Sequence, residues 1–321
     1  YNTLWAFDRD SGEEVWRHTF QDESWAGGMS SPTVGSDGTV YVNVTDVAFG
    51  SLHGVWAFDP DSTDNWTVSS AGDTGYAWWN STDVAANELG NSSPALDESR
   101  GVLYVGRGAD ETGAGNHHYL YALSTATGAL EWKFSTDPLT IYASPAVGSD
   151  GTVYAGTTSK PLSSPDQAGV FYAINPDGSE LWRYDTSPDV EGARDIYTGA
   201  AVGDDGTVYF TNENRYLYAL DGSTGAVVRK YDLKNLVGGT AEGAVVHSSP
   251  ALGPDGTIYV GEFYYTFTQD GVPVSAGYVE ENPGGDIDHT GAVYALDCSS
   301  GGLASSPWPA FRYDQQNSGS R

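Results

Sequence analysis

Short runs of alternating apolar and polar residues recur along the chain, each broken by a turn rich in Gly and Asp. "SPAVGSDGTVYAG" (144–156) is one instance, and near copies begin at Ser31 ("SPTVGSDGTVYVN"), Ala200 ("AAVGDDGTVYF") and Ser249 ("SPALGPDGTIYVG"). Period-two alternation predicts β-strand. "GSDG" predicts a tight hairpin whose last Gly takes the positive φ that other residues resist. Gly38, Gly151, Gly206 and Gly256 hold that place six residues after Pro32, Pro145, Ala200 and Pro250, and Gly101 comes seven after Pro94. A second hairpin alternates with the first: "LWAFDRDSGEEVW" (4–16), "VWAFDPDSTDNW" (55–66), "LYALSTATGALEW" (120–132), "FYAINPDGSELW" (171–182), "LYALDGSTGAVVR" (217–229) and "VYALDCSSGGLAS" (293–305). Each joins an aromatic-Ala-apolar strand to a short strand through a polar turn. No long run of helical period is visible.

Together the two hairpins make four strands per unit. The markers Pro32, Pro94, Pro145, Ala200 and Pro250 lie 62, 51, 55 and 50 residues apart. Four short strands in about 50 residues predict the blade of a β-propeller. The expectation is a single all-β domain over 1–321, a propeller of six four-stranded antiparallel blades with one incomplete. Residues 1–20 form an outer half-blade, and blades follow near 30–68, 91–134, 142–184, 197–232 and 247–314. Five first hairpins stand against six second hairpins, so seven or eight blades in a longer parent chain stay open. The small Ala57, Ala122, Ala173, Ala219 and Ala295 let neighbouring sheets approach. Trp16, Trp66, Trp132 and Trp182 are expected to fill the gaps between blades.

Composition fits this picture and adds a charge problem. Gly (41), Tyr (21) and Trp (10) suit turn-rich sheet with aromatic packing. The net charge is −29, from 14 basic and 43 acidic residues, and only Lys133, Lys160, Lys230 and Lys234 are lysines. Disordered acidic chains are poor in aromatics, so the acid belongs to a folded surface. Abundant carboxylate with scarce lysine resembles halophilic, archaeal proteins, the alternative being an ordinary acidic secreted protein. Salt would screen the self-repulsion. Unfolding on withdrawal of salt is therefore expected in a melting series; indifference down to millimolar salt would count against it. Such a surface excludes nucleic acid, which requires a basic footprint.

No run of about 18 apolar residues exists to span a membrane. Cys298 is the only cysteine, so no internal disulfide forms. Four Asn-x-Ser/Thr sequons, at Asn43, Asn65, Asn80 and Asn91, fall within 50 residues of one another. The chain also opens already inside a strand, as if processed or cut away. Both suggest an exported or cell-surface protein, glycosylated at those sites. A monomer is expected.

The run "ALSTATGALEW" (122–132) resembles the tryptophan-docking motif of the pyrroloquinoline-quinone (PQQ) repeat β-propellers: Ala, any residue, Asp, two residues, Thr-Gly, three residues, Trp. "AFDRDSGEEVW" (6–16) fits with Ser for Thr. In the first of these runs Ser124 stands in place of the Asp, and elsewhere the fit is also partial, with Arg229 in place of the Trp. "PWPAFRYDQQNSGSR" at the C-terminus resembles a Trp-Pro-x-Phe-Arg segment found at an end of many such proteins. The resemblance covers nearly the whole chain and is specific for fold and weak for activity; with the acidic charge and the sequons, a haloarchaeal, exported member of that fold is expected.

The repeat also points to a face. Strands within a blade alternate in direction, so first-to-second and third-to-fourth turns share one side of the disc. Those turns are minimal. The long connections are second-to-third or fourth-to-first: 69–90, 262–290, 107–118, 158–168, 186–197 and 235–247. Binding residues concentrate on long loops held by a rigid scaffold, so a site is expected on that face, at the mouth of the central channel. Tyr76, Trp78 and Trp79 offer an aromatic platform for a flat ligand or sugar. Arg107, Arg194 and Arg215 are cations that could meet a carboxylate-rich ligand. His117, His118, His247 and His289 lie on or beside this face with Glu262, Tyr264, Asp286 and Asp288, from which a metal site could be drawn. The "DRDSGE" (8–13) and "DPDSTD" (59–64) turns carry part of a calcium-loop ligand set.

Two functional classes follow. One is a non-catalytic propeller that binds a protein, glycan or small ligand and needs no cofactor. The other, implied by the resemblance, is a quinoprotein dehydrogenase oxidising alcohols or sugars with PQQ and calcium. The lone Cys298 excludes the adjacent cysteines of many quinoprotein alcohol dehydrogenases, which sugar-oxidising ones also lack. No Asp matches the catalytic one. A hydrolytic or lyase activity is a third possibility, without a nucleophile–base signature to support it.

Overall fold

The computed structural model describes residues 2–20, 30–44, 54–59, 76–77, 92–107, 118–158, 169–187, 195–235, 246, 248–269, 272–274 and 286–297. Strands β1 (Asn2–Phe7) and β2 (Glu14–Phe20) pair as a two-stranded sheet. Four-stranded sheets follow in chain order. They are β3 (Thr33–Val34), β4 (Val40–Val44), β5 (Gly54–Phe58), β6 (Tyr76–Ala77); β7 (Ala95–Asp97), β8 (Val102–Arg107), β9 (Tyr119–Ser124), β10 (Leu130–Ser135); β11 (Ala146–Val147), β12 (Val153–Gly156), β13 (Val170–Ile174), β14 (Glu180–Asp185); and β15 (Ala201–Val202), β16 (Thr207–Asn212), β17 (Tyr216–Asp221), β18 (Val227–Asp232). In the last sheet β20 (Thr257–Gln269) pairs with β19 (Ala251–Leu252), β21 (Val272–Val274) and β22 (Asp286–Asp297). All pairings are antiparallel, and β11 touches both β7 and β15, so first strands of successive sheets adjoin. This is the architecture of a β-propeller.

The hairpins form for local reasons. The carboxylates of Asp37, Asp150, Asp205 and Asp255 accept the backbone N–H of Thr39, Thr152, Thr207 and Thr257 at 2.9–3.0 Å. The Gly between each pair has φ of 82–87°, where a side chain would be strained.

Between sheets one packing rule repeats. Alternation gives each sheet a face bearing its Tyr and Ala and a face of larger apolar residues. The Tyr/Ala face of one sheet packs on the large face of the next. Thus Tyr154, Phe171, Ala173 and Trp182 meet Val208, Phe210, Tyr218 and Leu220, with the Phe171 and Phe210 rings stacked at 4.0 Å. Leu4 and Trp16 likewise meet Val42, Trp56 and Phe58. The remaining joints obey the same sense. Trp182 donates Nε1–H to Gly222 O at 2.8 Å, and Trp132 donates to Pro176 O at 2.9 Å, each on the following sheet. Their rings lie on Gly225 and Gly178, where an added Cβ would come within 2.7 and 2.8 Å. Trp16 is half-buried with its ring 6.3 Å from that of Phe58, and Trp66 lies outside the described residues.

The recurrent "SSP" is a tie rather than a site. Ser31 N–H donates to Ser93 Oγ, Ser93 N–H to Ser144 Oγ, and Gly199 N–H to Ser249 Oγ, at 2.9–3.1 Å. These bonds link the entries to successive first strands. Ser30, Ser92 and Ser248 hydroxyls accept from Asn43, Gly106 and Gly261 N–H within their own sheets.

Three expectations change. The third-to-fourth connection of the β3–β6 sheet is not minimal: β5 pairs with Tyr76–Ala77, not with residues near Trp66, so residues 59–75 join the two strands. The segment 262–290 is not simply a loop, because β20 and β22 continue their pairing out to Thr268↔Asp286. Runs such as "FYYTFT" and "DIDHT" alternate well enough to extend a ladder once a partner is opposite. The third change concerns the Asn43 sequon. Asn43 is fully buried and its Nδ2–H donates to Ser92 O at 3.1 Å, so the folded chain does not offer it to a glycan. Asn65, Asn80 and Asn91 lie outside the described residues.

Burial of tyrosines sets an alkaline limit. The Tyr41 phenol is pushed up to about 12, first by burial and then by the Asp37 carboxylate. Burial also raises Tyr104, Tyr154, Tyr172 and Tyr197. Unfolded tyrosine ionises near 10, so the unfolded chain loses protons first as pH rises. The stabilisation is complete below pH 10 and is lost between about 10 and 12. Urea midpoints should fall across that window, less steeply in Tyr41→Phe; a flat profile to pH 12 would contradict this.

Candidate binding site

First strands start on the face that receives the second-to-third and fourth-to-first connections. The described residues of that face differ from those singled out in the sequence. Tyr142 and Tyr197 occupy matching places, three residues before Pro145 and before Ala200, at the entries to β11 and β15. Both are half-buried, and their rings stack at 6.0 Å with planes 25° apart, bridging two sheets. Asp195 is buried beside Tyr197 and accepts Glu213 N–H on its backbone oxygen at 2.9 Å. The Tyr197 phenol is raised by burial first, then by the Asp195 and Glu213 carboxylates, Tyr142, and its hydrogen bond to Asp195. A tight turn, with Arg215 at φ 64°, carries Glu213 from β16 to β17. The site is thus an aromatic pair with carboxylates at one side. His247 holds the same repeat position before Pro250; it lies outside the described residues. That shared position three residues before the Pro32/Pro145-type marker is the signal in the sequence.

The sequence candidates separate. Arg107 is not offered to a ligand: it is fully buried in the joint between sheets, its Nη2 donating to Val44 O at 3.3 Å. Arg215 is also buried. Tyr76 sits in β6, the fourth strand of its sheet, rather than in a loop. His118 is buried, its Nδ1 3.1 Å from Thr140 Oγ1 and its Nε2 4.0 Å from Asp137. Glu262 and Tyr264 lie in β20 and Asp286, Asp288 and His289 in β22, with Tyr265 opposite His289 and Thr266 opposite Asp288 in the backbone register. Trp78, Trp79, His117, Arg194 and His247 lie outside the described residues. In the "DRDSGE" turn, Asp8 accepts from Ser11 and Asp10 N–H, which holds its carboxyl below the usual range. Among the described residues no three His, Cys, Asp or Glu side chains converge as for a metal, and no helix is long and apolar enough to cross a membrane.

Residues 166–263 match the family described as outer membrane protein assembly factor BamB. No curated protein matches the chain in sequence. Among solved structures, a quinohemoprotein alcohol dehydrogenase from Pseudomonas putida HK5 superposes over 92% of this chain and 56% of its own, with 16% identity and a TM-score of 0.59. The Dos1 propeller superposes over 81% and 59%, with 13% identity and a TM-score of 0.53. BamB from Moraxella catarrhalis covers 80% and 63%, at 17% identity and a TM-score of 0.47. The chain therefore spans about three fifths of the length of these proteins. At such identities the likeness is one of fold: with the quinohemoprotein dehydrogenase and the Dos1 propeller it shows that this chain is a β-propeller, of which residues 166–263 are similar to the BamB-type repeat.

Proposed function

We propose that the chain is a non-catalytic propeller serving as a binding or protein-interaction scaffold at the cell surface. Its contact site lies on the face where first strands begin. The Tyr142–Tyr197 stack carries this reading. Two half-buried rings, held at the entries to inner strands of adjacent sheets, form a preorganised platform. Tyrosine gives large amphipathic contact area at low entropic cost. The match of residues 166–263 to a family named for an assembly factor supports a protein partner.

The alternative is a quinoprotein dehydrogenase using PQQ with calcium; carboxylates such as Asp195 and Glu213 beside Tyr197 would suit a calcium ion, whereas Arg107 is committed to a backbone carbonyl in a joint. The test is to add PQQ with calcium at high salt and follow absorbance, melting temperature and dye reduction with alcohols or aldoses. No dye reduction is expected. A melting shift accompanied by dye reduction would establish a dehydrogenase and overturn the scaffold reading.

A further inference from the structure

The platform at the entries to β11 and β15 carries charge as well as two rings. Asp195 accepts the Tyr197 phenol and is only 6% exposed, so its carboxylate is fixed in place. Half-buried Glu213 is brought to the same phenol by its turn, and its N–H ties that turn to Asp195 O at 2.9 Å. Negative charge therefore gathers beside the Tyr142–Tyr197 stack.

The described cations are placed elsewhere. Arg17, Lys133, Arg183 and Lys230 follow one repeat rule: each comes directly after Trp16, Trp132, Trp182 or Arg229, on β2, β10, β14 and β18. In the four-stranded sheets these are the strands farthest from the first strand. Arg17, Lys133 and Lys230 lie 5.2, 4.6 and 4.3 Å from the rings of Trp5, Tyr119 and Tyr216. Arg9 and Arg100 belong to the β1–β2 and β7–β8 turns of the opposite face, and Arg107 and Arg215 are buried. Lys234, on the platform's side of the disc, donates from Nζ to Asn214 Oδ1 at 2.5 Å and lies 5.4 Å from the Tyr216 ring.

We infer that the platform receives a cationic side chain, a lysine ammonium or an arginine guanidinium, presented by the protein partner. This rests on the scaffold reading above and gives that partner its chemistry. The faces of two tyrosine rings attract a cation, and the carboxylates supply charge-assisted acceptors at their side. The net charge of −29 steers a basic partner toward the chain and disfavours an acidic one. An apolar side chain in the same place would leave the Asp195 and Glu213 charges uncompensated as water is excluded.

Ligand-observed NMR tests it, at the lowest salt that keeps the native circular dichroism, with capped peptides Ser-Gly-X-Gly-Ser in which X is Lys, Arg, norleucine or Glu. Saturation should transfer to the Lys and Arg side chains and not to norleucine or Glu. Tyr142→Leu should weaken the Lys peptide by about fivefold or more, and Glu213→Gln should weaken it in the same direction. Glu131→Gln, which removes an exposed carboxylate on β10, should leave it unchanged. No binding of the Lys and Arg peptides would overturn the inference. Norleucine bound as well as Lys would overturn it too, with the platform still a contact site and the scaffold reading intact. Equal losses in Glu131→Gln and Glu213→Gln would trace the binding to overall charge, and would overturn it equally. Failure of the scaffold reading is seen separately, as dye reduction with PQQ and calcium.

Discussion

Replacing Trp182 with Ala should lower the unfolding free energy by about 3–5 kcal/mol, seen as a drop in urea midpoint with the slope unchanged. The indole is nearly buried and lies against Tyr154 and Phe171, with ring centroids 6.0 and 6.2 Å away. It also covers Gly225 of the following sheet. Its truncation therefore opens a void within a joint rather than at a surface. The lost hydrogen bond matters less, since Gly222 O keeps Tyr154 OH as a donor at 3.1 Å. Trp132→Ala provides the scale: its indole occupies the equivalent place but is only half-buried, so it should cost less. A loss below about 1 kcal/mol at Trp182, the size of an ordinary surface change, would show that the indole is not a packing element.

The second large effect concerns close approach of a strand to the segment that leads into the first strand of the next sheet. Gly156→Ala should destabilise by about 1–3 kcal/mol, although Ala is preferred over Gly within a strand. The added Cβ would collide with Cβ and Cγ2 of Ile196, and would lie 3.3 Å from the Ile196 carbonyl oxygen. Gly106 meets Ile141 in the same way one sheet earlier. Ile196→Ala removes Cγ2, the nearer of the two atoms, and leaves Cβ. The double variant should therefore be more stable than the sum of the two single losses predicts. Gly261→Ala should be milder, because its Cβ would meet the Ser248 hydroxyl at 3.3 Å instead of a branched side chain. Equal losses at Gly156 and Gly261 would refute a steric origin.

Much of this fold was legible because hairpins are written in short range. The Asp–Thr turn bonds span two residues, and the Gly that ends the turn needs only its own φ. A four-residue phrase therefore announces each one. Where the signal was ambiguous, reading by nearest pattern failed. "DPDSTDNW" resembles the closing arm of a hairpin, yet Tyr76 and Ala77 take the ladder beside Ala57 and Trp56. Arg107 was conspicuous as a scarce cation near a long loop, but its burial depends on Val44, 63 residues earlier.

The sequence by itself determined the repeat, the strand alternation and the Asp–Gly turns of the first hairpins, because each depends on residues within about a dozen positions. Tertiary structure alone decided the rest. It paired Tyr142 with Tyr197, turned the "SSP" serines into ties between sheets, placed Arg107 inside a joint and Asn43 out of reach. These outcomes rest on lateral contacts between sheets, which join residues roughly one repeat apart. Alternation along a strand states which residues share a face; only packing states what that face meets.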